Sequence, residues 1–244
     1  MKNIHVNLLI LNGKTLLVKL NRINESRGMN LRENDKFKPG EMGVSMGGGN
    51  NKMVPEKAKT KLNMLKTLLK TLESVAVAFS GGVDSTFLLK VASEVLGDNV
   101  IAVTARSSTY PEREFREACE YAAAFGVKHI VIESEELDIE GFAENPVNRC
   151  FYCKNELFCK VREVADKYKI RHVVDGCNSD DVGDFRPGMQ AAREHGVISP
   201  LREVGLTKEE IRLLSREYGL PTWNKQAFAC LSSRFPYGHR ITRE

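Results

Sequence analysis

Seven consecutive residues, Ser80-Gly81-Gly82-Val83-Asp84-Ser85-Thr86, bring two glycines, one carboxylate and three hydroxyls into one short stretch. Glycines let a backbone turn sharply and approach a ligand closely. The hydroxyls of Ser80, Ser85 and Thr86, with the free N–H groups of a helix start, suit an anion such as phosphate. Asp84 is placed to meet Mg²⁺ beside such an anion. A Walker A sequence would need a Lys before its Ser/Thr, and none is present. A merely well-capped turn would not need all of these groups at one point.

Thiols form a second group. Cys150 and Cys153, in Arg149-Cys150-Phe151-Tyr152-Cys153-Lys154, are spaced to share one metal ion or cluster. A redox pair is the alternative, and that motif belongs at a helix start directly after a strand. Cys230 lies in a polar run with Ser232, Ser233 and Arg234, where positive charge favours thiolate, so it reads as a nucleophile or a ligand. Together Cys150, Cys153 and Cys230 could hold a [4Fe–4S] cluster with one iron open. Cys119 and Cys159 read as core or surface thiols, and Cys177 as a residue of a strand end. A third group, Gly176-Cys177-Asn178-Ser179-Asp180-Asp181 with Asp184 and Arg186 following, offers Asp180 and Asp181 to Mg²⁺.

The elements needed to position these groups are legible around them. Val75 to Phe79 is an unbroken apolar run, as in a strand buried on both faces. Phe87 to Leu96 has helical spacing and ends at Gly97. Val100–Ala105, Val127–Ile132 and His172–Asp175 read as further strands. Pro111–Phe125 and Cys153–Tyr168 read as helices, and Thr207-Lys208-Glu209-Glu210 as a capping box opening a helix to Tyr218. A helix from Pro55, with Leu62, Leu65, Leu69 and Leu72 on one face, is expected to cover the sheet. Alternating strands and helices predict an α/β fold with a doubly wound parallel sheet. Ligands of such sheets sit beyond the carboxyl ends of the strands, where the glycine loop, Ala105-Arg106-Ser107 and residues 176–181 fall.

At 244 residues the chain can bury a sizeable core, and its formal charge of +4 suits anionic small molecules without demanding nucleic acid. No apolar run is long enough to span a membrane, and the N-terminal run from Val6 to Leu20 is broken by Asn12-Gly13-Lys14 with no cleavage signal after it. Six cysteines in a chain of this length fit a reducing cytoplasm better than a disulfide scaffold. Residues 1–54 differ from the rest. Asn12-Gly13 between apolar runs predicts a hairpin, and Asn21–Met53 is polar and glycine-rich, which predicts disorder. The segment reads as an appendage or as a start placed too far upstream, with Met53 the true start. A core domain is expected at 55–226, with the start of a further segment at 227–244.

The loop SGGVDST resembles the pyrophosphate loop of the PP-loop ATP pyrophosphatases, which attach AMP to a substrate oxygen before a nitrogen or sulfur nucleophile displaces it. With NPVNRCFYCK, DGCNSDDVGDFRPG and ACLSSRFPYG, the region from Lys57 to Glu244 resembles the LarE family. That resemblance implies an adenine nucleotide alpha hydrolase-like fold and ATP-dependent sulfur transfer. Its substrate would be pyridinium-3,5-biscarboxylic acid mononucleotide, a small-molecule nucleotide, on the route to the nickel-pincer nucleotide. It implies ATP contacts from Ser80, Gly81, Gly82, Val83, Asp84, Ser85, Thr86, Ala105, Ser107 and Gly176. Substrate contacts are implied for Arg149, Arg186, Ser233 and Arg234, and catalytic roles for Cys230, Asp84 and Arg234. One branch of the family sacrifices a cysteine sulfur, at the position of Cys230. Another holds a [4Fe–4S] cluster on three cysteines, and Cys150, Cys153 and Cys230 match that branch. A sulfide donor and a homo-oligomer are implied as partners. Family members continue past the equivalent of Ile241, so a substrate segment ending at Glu244 is expected to be incomplete and activity to suffer. A tRNA thiolase would carry a strongly basic RNA-binding region, and a glutamine-dependent synthetase a glutaminase partner; neither is seen. A non-enzymatic iron–sulfur or nucleotide-binding regulator is the remaining alternative.

Overall fold

The computed structural model describes residues 8–11, 14–17, 53–181, 187–227 and 230–242. The chain divides into two compact units, Met1–Gly49 and Asn50–Glu244. In the first, β1 (Leu8–Leu11) pairs antiparallel with β2 (Lys14–Leu17), Leu11 opposite Lys14, which is the hairpin expected around Asn12-Gly13. The expected disorder of residues 21–52 lies outside the described residues.

The second unit is built on a four-stranded parallel sheet of β3 (Val75–Ala78), β4 (Val100–Arg106), β5 (Lys128–Glu133) and β6 (His172–Val174), in the order β5-β4-β3-β6. Side chains alternate across it, as the two-residue period of a strand requires. Val75, Val77, Val100 and Ala102 point into one core with helices α1 (Glu56–Leu72), α2 (Val83–Leu96), α3 (Glu112–Ala124) and α7 (Lys208–Glu217). Ala76, Ile101, Val103 and Val173 point into a second core with α4 (Arg149–Lys167) and α5 (Pro187–Glu194). Both faces are therefore covered, the doubly wound arrangement that the run of buried strands predicts. Ile198 adds a single parallel bridge to Val174 beyond β6.

Helix α1 differs from its expected place. It packs chiefly on α2 and on the short α6 (Pro200–Glu203), and so shares the core without lying directly on the sheet. Lys61 anchors it, reaching Glu210 at 2.6 Å and the Gly205 carbonyl at 2.6 Å. Glu210 also closes the capping box of α7: its carboxylate accepts from Thr207 N at 2.9 Å, and the Thr207 hydroxyl accepts from Glu210 N at 3.2 Å. Helix α4 starts at Arg149, four residues earlier than its apolar spacing predicts, because the turn after Pro146 feeds directly into it through Arg149 N to Pro146 O, 2.9 Å. Cys150 and Cys153 thus both lie in its first turns.

Candidate active site

The carboxyl ends of β3, β4 and β6 open into a cleft of about 600 Å³ lined by Ser80, Gly82, Asp84 and Ser85 from the glycine loop, Ala105 at the end of β4, and Gly176, Asp180 and Asp181 after β6. The loop is a strand-to-helix turn, and Val83–Thr86 is already the first turn of α2. Gly81 alone of its two glycines uses left-handed backbone (φ +62°), with a hypothetical Cβ only 3.0 Å from the Ala118 Cβ. Gly82 has ordinary φ, and its hypothetical Cβ would meet only Ser80 Oγ, at 3.4 Å, inside the anion cradle. Gly176 is forced by contact: a Cβ there would stand 2.9 Å from Ser85 N. The backbone after β6 thus lies directly on the start of α2. The Ser80 and Ser85 hydroxyls are 3.1 Å apart at the helix N-terminus, where free N–H groups favour an anion.

Asp84 faces this cradle. One oxygen is 2.5 Å from Lys208 Nζ, and the other is buried without a partner. Burial pushes its carboxyl above the ordinary range; Lys208 pulls it back, and the nearby Asp181 charge adds to the rise. A carboxylate oxygen left unsatisfied beside two further carboxyls is chemically suited to a hard cation. Asp180 spends Oδ2 on Lys208 N at 2.8 Å, and Asp181 spends Oδ2 on Asn178 N at 2.9 Å.

An adjoining recess of about 460 Å³ shares Ser80, Gly82 and Asp84 with the cleft and is lined also by Arg149, Cys150, Cys153 and Cys230. All three thiols singled out in the sequence therefore face the nucleotide loop. Cys150 and Cys230 are exposed. The Cys153 thiol is pushed up to about 12, first by burial and then by the Glu136 carboxylate, to which its Sγ–H points at 3.8 Å. Among the described residues no three His, Cys, Asp or Glu side chains are gathered tightly enough to hold a metal ion. The donor set itself, three thiols on one recess, has the chemistry for an iron–sulfur group.

Other expected site residues are placed differently. Thr86 is fully buried in α2 with its hydroxyl unpartnered, and it lines neither hollow. Ser107 bonds Thr109 at 3.2 Å and also lines neither hollow; Thr109 does. Ser233 and Arg234 are exposed, and Arg234 lines a separate groove of about 270 Å³ with Phe235 and Thr242. Arg186 and Asp184 lie outside the described residues.

Several residues that line the two hollows had no site role assigned from the sequence. Tyr110 donates its hydroxyl to the Ser80 carbonyl at 2.8 Å, and burial raises its pKa. Lys154 lines both hollows. Lys225 reaches the Gly81 carbonyl at 3.2 Å while held by Glu114 at 2.6 Å and Glu117 at 2.7 Å. Burial alone would lower the Lys225 pKa, but those two carboxylates outweigh it and the net shift is upward. Lys208 lies in the readable capping box that opens α7, but nothing in that box marks it as the partner of Asp84.

An asparagine synthase family model matches residues 63–147. The fold is similar to NH3-dependent NAD synthetase from Campylobacter jejuni (TM-score 0.54, 18% identity, 69% of this chain and 76% of that one). It is equally similar to NMN synthetase from Francisella tularensis (TM-score 0.54, 17% identity, 70% and 74% covered). In sequence the chain is 43% identical over 186 residues to an uncharacterized protein of Synechocystis, covering 76% of this chain and 69% of that one. It is 38% identical over 186 residues to pyridinium-3,5-bisthiocarboxylic acid mononucleotide synthase of Lactiplantibacillus plantarum, covering 76% of this chain and 67% of that one. With the parallel sheet, the phosphate loop at its carboxyl edge and this identity over most of both chains, the protein belongs to the pyridinium-3,5-bisthiocarboxylic acid mononucleotide synthase (LarE) family of PP-loop, ATP-dependent sulfur transferases.

Proposed function

We propose that the protein adenylates a carboxylate of pyridinium-3,5-biscarboxylic acid mononucleotide and converts it to a thiocarboxylate. One observation carries the reading: Cys150, Cys153 and Cys230 line a recess that also includes Ser80, Gly82 and Asp84 of the phosphate loop. A sulfur source and an activated acyl group must come within about 3–3.5 Å to react, so a shared hollow is what the chemistry needs.

The substrate carboxylate oxygen attacks the α-phosphorus of ATP, and pyrophosphate leaves. The Ser80 and Ser85 hydroxyls and the N–H groups opening α2 bind the departing phosphates, whose charge Lys208 offsets. Asp84, with Asp180 and Asp181 beside it, would hold the Mg²⁺ that accompanies the triphosphate. A sulfur nucleophile then attacks the acyl carbon, AMP leaves with its electron pair on oxygen, and the thiocarboxylate remains. Cys150, Cys153 and Cys230 are the residues that would hold a [4Fe–4S] cluster. When bound, such a cluster supplies one iron with an open position able to carry sulfide. Lys154 and Arg149 place positive charge on the recess wall, suited to an anionic nucleotide.

Incubation with ATP, with and without the pyridinium mononucleotide, tests adenylation: substrate-dependent release of AMP and pyrophosphate supports it, and none refutes it. An anaerobic absorption spectrum with iron and sulfide counts tests the cluster. The exposure of Cys230 favours one second reading, donation of its own sulfur. Turnover that stops after one sulfur per chain, with dehydroalanine at position 230, would establish that reading instead.

A further inference from the structure

We propose that Asn145 is the positioning residue that holds the Cys230 segment against the helix bearing Cys150 and Cys153, an inference that rests on reading the three thiols as one site. Asn145 is fully buried and has left-handed backbone (φ +54°), a conformation that asparagine tolerates better than most residues. Its amide works in two directions. Nδ2 donates to the carbonyls of Phe235 at 3.3 Å and Pro236 at 2.7 Å. Oδ1 accepts from Arg149 Nη1, in the first turn of α4. Its own carbonyl accepts from Gly238 N at 2.9 Å. One side chain thus joins the residue before Cys150 to the chain five and six positions past Cys230.

Independent contacts run the same way. Ile241 N donates to the Ala143 carbonyl at 2.8 Å, and the Ile241 side chain is buried. The Arg149 guanidinium stacks 4.9 Å from the Tyr237 ring centroid. On the other flank of Cys230, Leu231 N donates to the Thr109 carbonyl at 3.1 Å, and the Thr109 hydroxyl donates to the Glu136 that also receives Cys153.

The chemistry of position 145 is demanding. Two carbonyls take donors and a buried guanidinium takes an acceptor from this one side chain. Asparagine meets the three demands, whereas an aspartate would set one carboxylate oxygen against two carbonyls. None of these bonds touches the phosphate loop. Loss of Asn145 should therefore loosen the thiols from one another and leave the nucleotide end as it was.

Dibromobimane, which becomes fluorescent on bridging two neighbouring thiols, tests this in the metal-free full-length chain, with the bridged peptides mapped by mass spectrometry. The wild type should bridge Cys230 to a thiol of α4, Cys150 or Cys153, which line the same recess. Asn145→Asp should lower that yield about tenfold, because two carbonyls lose their donor and face a carboxylate oxygen instead. Tyr237→Ala removes only a ring that is largely exposed, and should lower the yield in the same direction but less. Binding of ATP by both variants should stay within about twofold of wild type. Wild-type yields in both folded variants, a wild-type chain that fails to bridge, or equal loss of ATP binding would each overturn the proposal. If Asn145→Asp does not fold, an unchanged yield in Tyr237→Ala overturns it alone. Failure of the wild type to take up iron and sulfide anaerobically would sink the cluster reading while the bridging result still decides the role of Asn145.

Discussion

Lys208 Nζ stands 2.5 Å from Asp84 Oδ2, although the two residues are 124 positions apart in sequence. The pair joins the start of α7 to the first turn of α2 at the mouth of the nucleotide cleft. Removing either member should cripple pyrophosphate chemistry: Asp84→Asn and Lys208→Ala should each lower substrate-dependent AMP release about 100-fold. Normal pyrophosphate production by Asp84→Asn would remove Asp84 from the mechanism.

The same carboxyl predicts a pH-dependent gain in stability. Its pKa in the folded protein is raised, chiefly by burial. The stability tied to its protonated form is present below the ordinary carboxylate range, near pH 4, and is lost as pH rises through the folded value. At pH 7 the nucleotide-free Asp84→Asn protein should melt at a higher temperature than wild type, and the two should converge below about pH 4. A lower melting temperature at pH 7 would show that the Lys208 pair outweighs desolvation.

Three glycines should respond differently to a methyl group. Gly176→Ala drives a Cβ to 2.9 Å from Ser85 N, so it should destabilise by about 1–3 kcal/mol and weaken ATP binding as the loop shifts. Gly81→Ala adds strain of about 1 kcal/mol at φ +62° and presses on Ala118. Gly82→Ala should leave the stability within about 0.5 kcal/mol of wild type, yet weaken ATP binding, because its methyl enters the cradle beside Ser80. Denaturant melts paired with ATP titrations separate the three.

Thiol chemistry should follow burial. At pH 8 a thiol with a pKa of about 12 is ionised to roughly one part in 10,000, so Cys153 should alkylate far behind the exposed Cys150 and Cys230. Glu136→Gln removes a carboxylate that raises the Cys153 pKa, and should speed its modification. Timed alkylation read by mass spectrometry checks both statements, and equal rates at all three cysteines would contradict them.

A chain starting at Met53 should fold and bind ATP as the full chain does, since the parallel sheet, both cores and the cleft residues all lie within Asn50–Glu244. Insolubility or lost ATP binding would show that residues 1–52 support the domain.

The strands were readable because a parallel sheet buries both faces and so writes unbroken apolar runs such as Val75-Ala76-Val77. The strand-to-helix turn at Ser80–Thr86 was readable because its glycines, hydroxyls and carboxylate are adjacent in sequence and flanked by an apolar run and a helical repeat. Tyr110 and Lys225 were not. Their roles come from where the fold brings them, and one lysine or tyrosine in a helix or loop looks like any other. Helix α4 began earlier than its apolar spacing suggests because its first turn is anchored by Asn145 and Arg149, polar residues whose partners lie near position 236. Short α5 and α6 start at prolines and lack the repeats that periodicity detects.

The packing of Gly176 on Ser85 has a consequence for biosynthesis. The strand leading into the phosphate loop is central, and its neighbour β6 emerges from the ribosome long after it. Until Gly176 arrives, nothing clamps the start of α2, and until Lys208 follows, Asp84 lacks its counter-charge. A nascent chain should thus remain unable to hold nucleotide through most of its translation. Such long-range pairing folds slowly, and the edge of Val75–Ala78 that awaits β6 stays open in the interval, while its other edge can already pair with Val100–Arg106.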